Sequence, residues 1–174
     1  HTSFCVSTLL ARALYVPSFA FALKEPLVLR RLSDARHVGW KLDGLIAPAI
    51  KMLGRPWHPG GAVVIKPTHV ALSVAEPLLA AAPASHAVIL TSSLDDFLIS
   101  NLKKPPESRA KIPELVERAM RTTTLGDWLP PAGKQPPDAL CGAGLQWAAQ
   151  REHVLDLVTK LGPARIRALS ADAL

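Results

Sequence analysis

Cysteine is scarce in this chain: Cys5 and Cys141 stand alone, 136 positions apart. That spacing builds neither a metal-ligand cluster nor a disulfide framework, so no metal site is expected, and a reducing cytoplasm suits it better than secretion. Aromatic side chains are also few, four Phe, four Trp and one Tyr. They are too sparse for the stacking platforms that a single-strand nucleic-acid binder interleaves with basic residues, so no nucleic-acid partner is expected. No uninterrupted apolar run approaches the roughly 18 residues that span a bilayer, so no membrane span is expected. A basic leader running into an apolar stretch and a cleavage site is missing too, and a start at His1 rather than Met suggests a fragment or a trimmed chain.

What is present reads as one globular domain. At 174 residues a single core closes about two-thirds of the unfolded surface. With 49% hydrophobic and 20% charged residues, disorder and a coiled coil are both poor descriptions. The net charge of +6 is uneven: residues 1–66 carry nine basic and three acidic side chains, and the remainder eleven of each. An anionic ligand would be drawn to the first part, although a plain basic surface face accounts for the same asymmetry.

Short β-like runs alternate with helical stretches, the pattern of an α/β protein with a mostly parallel sheet. Strands are expected at 19–23, 62–66, 87–91 and 164–169, each short, apolar and closed by a polar residue or proline. Helices are expected at 7–14, 26–36, 42–53, 70–82, 94–103, 113–123 and 139–161, with Pro26 and Pro113 in first turns and Gly54 and Gly162 at ends. The stretch 128–138, WLPPAGKQPPD, reads as a surface loop or lid, and 103–113, KKPPESRAKIP, as another exposed connection. No boundary divides the chain into separate cores.

The opening segment His1-Thr2-Ser3-Phe4-Cys5-Val6-Ser7-Thr8-Leu9-Leu10 runs small hydroxyl residues into an apolar helical pattern. Backbone N–H groups and the Ser7 and Thr8 hydroxyls can converge there on an anion, or simply cap the helix. The loop is not a Walker A sequence, G-x-x-x-x-G-K-S/T. Nor is it a tyrosine-phosphatase loop, because six residues rather than five separate Cys5 from Arg12. Cys5 at a helix start is either a thiol of lowered pKa or a packing residue. Asp95 and Asp96 are neighbours that diverge by about 100° on a helix, so they suit a solvated helix start better than a metal or a carboxylate pair. Trp57 lies on a loop where it can touch a substrate, and Trp147 on an apolar helix suits the core.

In their order these pieces resemble the P-loop sulfotransferases, and more closely a set of uncharacterised bacterial members. Ser3-Phe4-Cys5-Val6-Ser7-Thr8-Leu9 lines up with the phosphosulfate loop S-R-C-G-S-T-L, and Leu23-Lys24-Glu25-Pro26 with the piece l-x-E-P. Val63-Val64-Ile65-Lys66-Pro67-Thr68-His69 is similar to v-v-K followed by small polar residues, and 92–100 falls on R-x-P-x-D-x-x-x-S, the 3′-phosphate motif. The segment 165–174, RIRALSADAL, looks like the strand and helix start r-Y-E-D-L. Phe4, Val6 and Ser92 depart from the family's Arg, Gly and Arg.

The resemblance implies a P-loop NTPase-like three-layer α/β sandwich with a mostly parallel sheet. It also implies a single sulfotransferase-like domain over 1–174 that lacks the first strand and the C-terminal part. The activity implied is transfer of a sulfuryl group from 3′-phosphoadenosine 5′-phosphosulfate to a hydroxyl or amine of a small-molecule or glycan acceptor, in the cytoplasm. Ser3, Cys5, Ser7 and Thr8 would then line the 5′-phosphosulfate loop and Ser100 would contact the 3′-phosphate. Lys66 would stabilise charge, where its alternative is a snorkelling strand-end lysine. Glu25 and His69 compete as the base, each following a strand on the ligand edge of the sheet; Glu25 can equally be a helix-start carboxylate and His69 an N-cap neighbour. A non-catalytic member of the fold and a P-loop small-molecule kinase relative are the alternatives, the latter without a Walker lysine.

Overall fold

A computed structural model describes residues 7–129 and 136–171. The chain is mixed α/β and gathers into two compact units, one ending at Ala87 and one running from Val88. No helix among the described residues is long and apolar enough to cross a membrane.

The first unit starts with α1 (Ser7–Ala13), which packs on two strands, β1 (Ala20–Lys24) and β2 (Ala62–Lys66). The strands pair in parallel, Ala20 opposite Ala62 through Lys24 opposite Lys66, and the long connection that parallel pairing requires holds α2 (Leu27–His37) and α3 (Ile46–Leu53). In α2, Leu29, Leu32 and Ser33 recur at helical spacing on the buried face. Helix α3 begins at Ile46, not at 42 as its apolar pattern suggests. Gly44, with φ +80°, turns the chain before it, and Pro48 falls in the first turn, where no N–H partner is lost.

After β2 the expected helix 70–82 is divided into a 3₁₀ segment, His69–Val74, and α4 (Ala75–Ala81). Pro77 is the reason: it has no N–H for the carbonyl of Ser73 and its ring clashes there, so an α-helix cannot run through that turn. Leu29, Leu32, Ile46, Ala49, Ala71, Val74 and Leu78 form the core, with Ile65 of β2 packed against it. One polar group inside is satisfied, since the Ser33 hydroxyl donates to the Val70 carbonyl at 2.7 Å and meets Ser73 Oγ at 2.9 Å.

The second unit pairs β3 (Ala87–Thr91) with β4 (Ile166–Ser170) and surrounds them with helices. Helix α5 (Leu94–Leu102) follows β3, then α6 (Pro106–Arg109), α7 (Ile112–Met120), α8 (Leu125–Trp128) and the long α9 (Ala139–Leu161). The expected connection at 103–113 thus contains a helical turn, begun by Pro106 at a first-turn position. Helix α9 packs against α7, α5 and β4, and Phe97, Leu90, Ile112, Val116, Leu157 and Ile166 are buried. Most of the expected loop at 128–138 lies outside the described residues.

β1 and β2 are thus parallel neighbours as expected, whereas β3 has β4 as its hydrogen-bonded neighbour, so the described sheets hold two strands each.

Candidate functional site

Lys24 and Lys66 end the β1–β2 ladder side by side, and the next residue, Glu25, donates its N–H to the Lys66 carbonyl at 2.6 Å. That bond places the Glu25 side chain at the tip of β2, where its Oε1 receives Lys66 Nζ in an ion pair. The Lys66 side chain is only 8% exposed and that of Glu25 is 42% exposed. An ammonium that deep is tolerable only with a counter-charge and hydrogen-bond acceptor, and the carboxylate supplies both. Glu25 adopts φ +50°, left-handed backbone that an L side chain enters at a cost of about 1–2 kcal/mol. Pro26 restricts the residue before it as well, so the strain is held by the ladder bond and the ion pair.

Three residues past Lys66, His69 opens the 3₁₀ segment with its Nε2 buried. Thr68 lies between them, and its Oγ1 is buried with no hydrogen-bond partner among the described residues. A hydroxyl left so costs about 1–3 kcal/mol. Of the expected site residues, then, Glu25 and Lys66 touch, and His69 follows on the same strand-end segment.

Ser7 and Thr8 are the first residues of α1, half-buried, in a turn without any carboxylate. Ser3 and Cys5 lie outside the described residues. Ser100 is in the second unit, half-buried and seven residues into α5, well past the helix start. That start is closed by its own side chains: the Ser93 hydroxyl accepts Asp96 N–H at 3.1 Å and donates to Asp96 Oδ2 at 2.7 Å. Asp95 and Asp96 are exposed, the solvated helix start read from sequence.

Trp57 is not beside this pair. Its loop precedes β2 and its ring stacks on Phe21, near the start of β1, with centroids 4.3 Å apart. It therefore belongs to the opposite edge of the two strands, about 13 Å from their ends at 3.3 Å per residue.

In the second unit Ser92, just past β3, is buried, and its carbonyl accepts Trp147 Nε1–H at 3.0 Å. Arg151, one turn further along α9, lies 5.4 Å from the Trp147 ring centroid and donates to Thr91 Oγ1 at 3.3 Å. Trp147 is thus a half-buried fastener of α9 to the strand end rather than plain core. Glu152 accepts the Thr124 and Leu125 backbone N–H groups at 3.1 and 3.0 Å and the Thr124 hydroxyl, which hold its carboxyl below the usual range. Asp138 caps α9 by accepting Cys141 N–H at 2.7 Å, which lowers its pKa in turn, while desolvation and that carboxylate push the exposed Cys141 thiol up.

Among the described residues no group of three His, Cys, Asp or Glu comes together to hold a metal. Compared with family models, curated proteins and solved structures, the chain matches none.

Proposed function

We propose that the chain is a P-loop sulfotransferase-like protein, built on the three-layer sandwich of that family, which transfers a sulfuryl group from 3′-phosphoadenosine 5′-phosphosulfate to a hydroxyl or amine of a small-molecule or glycan acceptor. One observation carries this reading. Glu25, which follows one strand, and Lys66, which ends another, meet at the same end of a parallel strand pair, with the strained backbone common at functional sites.

The described residues fit an anionic nucleotide: the first turn of α1 offers two hydroxyls and no carboxylate, and Lys66 is a buried cation. When bound, the nucleotide supplies the activated sulfuryl group. For the chain's part, Lys66 stabilises developing negative charge, Glu25 or His69 takes the acceptor proton, and the Thr68 hydroxyl is an unspent donor beside them. A non-catalytic binder of the same fold is the second reading, favoured by the Lys66 ammonium being already engaged by Glu25.

Calorimetric titration with 3′-phosphoadenosine 5′-phosphate and with ATP tests the reading. Binding of the former alone supports it, tighter binding of ATP favours a kinase relative, and binding of neither refutes it. If sulfuryl transfer is measured, Glu25→Gln and His69→Ala should lower kcat unequally, with the base losing about a hundredfold or more. Transfer unchanged in both variants would return Glu25 and His69 to purely structural roles.

A further inference from the structure

The edge where β1 and β2 begin carries an unusual surface. Residues 12–19 and 54–60 are two unbroken exposed runs, and just past the second Ala62 donates its N–H to the Phe19 carbonyl of the first at 2.7 Å. Tyr15, Phe19 and Trp57 stand on them at 52%, 64% and 74% exposure, although soluble surfaces rarely gather large aromatic rings in one place. Trp57 is exposed yet fixed, because one face of its ring lies on Phe21. Pro17, Pro56 and Pro59 stiffen both runs.

The charge around these rings has one sign. Arg12 ends α1 and Lys51 ends α3, the two helices that lead into these runs, and Arg55 lies within the second. All three are exposed and none meets a carboxylate among the described residues. The sequence has no Asp or Glu at all in 1–24 or 44–75. Within the first unit the nearest acids along the chain are Glu25 for the first run, at the far end of β1 and engaged by Lys66, and Asp43 for the second, ahead of the start of α3.

We infer that this edge docks on an anionic lipid surface, the aromatic rings entering the interface between headgroups and acyl chains while Arg12, Lys51 and Arg55 face the headgroups. Tyr and Trp are the side chains that settle at that interface, having an apolar body and a polar tip, and basic residues there are drawn by the negative surface potential. With no carboxylate in either run, nothing must be desolvated against like charge on approach. This docking is independent of the sulfuryl-transfer reading, since it uses the opposite end of the strands.

The test is sedimentation of the full chain with vesicles of equimolar phosphatidylserine and phosphatidylcholine, against vesicles of phosphatidylcholine alone. Binding to the first and not the second is expected, with release in high salt. Reversing a single charge, as in Arg55→Glu, should weaken partitioning by at least about fivefold. Trp57→Ala, at a position too exposed to threaten the fold, should weaken it by about tenfold or more. Circular dichroism on each variant separates loss of docking from loss of structure. Binding to neither vesicle, equal binding to both, or full binding by folded Trp57→Ala would each overturn the inference. So would capture by immobilised polyglutamate without vesicle binding, which points to an acidic protein, or self-association abolished by Trp57→Ala, which points to a second copy.

Discussion

Removing the carboxylate of Glu25 should destabilise the protein far more than removing the charge it neutralises. In Glu25→Gln the Lys66 ammonium stays buried with only an amide oxygen to face, and two unit charges near contact at an effective dielectric of about 20 attract by roughly 4 kcal/mol. Glu25 is 42% open to water, which screens a good part of that, leaving an expected loss of about 1.5–3 kcal/mol. In Lys66→Met the buried group becomes apolar and the half-exposed carboxylate hydrates, so the cost is under about 1 kcal/mol. The double variant should resemble Lys66→Met alone, so the coupling energy equals the whole Glu25→Gln loss, about 1.5–3 kcal/mol. Urea unfolding followed by circular dichroism reads this directly, as a midpoint lower by about 1 M in Glu25→Gln and little changed in the other two. Equal losses in the two single variants, adding in the double, would refute a buried ammonium held by Glu25.

Two further outcomes concern the second unit. Glu152, whose folded pKa is lowered, stabilises the protein above the ordinary carboxylate range and loses that contribution as pH falls through the folded value; Glu152→Gln should therefore lower the melting temperature at neutral pH and flatten its fall between neutral and acidic pH. In α9, a Cβ at Gly142 would meet Ile112 Cγ2 at 2.9 Å, whereas at Gly144 nothing lies within 4 Å. Gly142→Ala should cost about 1–3 kcal/mol by overpacking α7, and Gly144→Ala should gain about 0.5–1 kcal/mol from helix propensity. Thermal melts of the pair compare them, and destabilisation by Gly144→Ala would contradict the packing described.

The strands at 62–66 and 87–91 were legible because each is a short apolar run bounded by turn residues, Glu25 because it follows such a run and Lys66 because it ends one. Their meeting was not legible, since it depends on a register 42 residues apart that no local pattern encodes. Thr68 carries no sequence signal beyond being a small polar residue after a strand; only burial without a partner marks it. The 3₁₀ segment was legible in principle from Pro77, but the apolar periodicity of 70–82 hides it. Trp147 and Arg151 share a helix face by spacing, yet nothing in that spacing says which strand end they fasten.

The parallel pairing of β1 and β2 has a kinetic side. Their ladder closes a chain segment of about forty residues, and that entropy is lost before any of its bonds returns it. Helices α2 and α3 lie wholly within that segment but pack mainly on the 3₁₀ segment and α4, which follow β2, so little packing inside the segment shortens the loop. The Glu25–Lys66 contact, made by the residues at the strand tips, is expected to form after the main barrier. A change there should then speed unfolding while leaving the folding limb of the chevron almost where it was, so the strand tips would govern how long the native state lasts rather than how quickly it is reached.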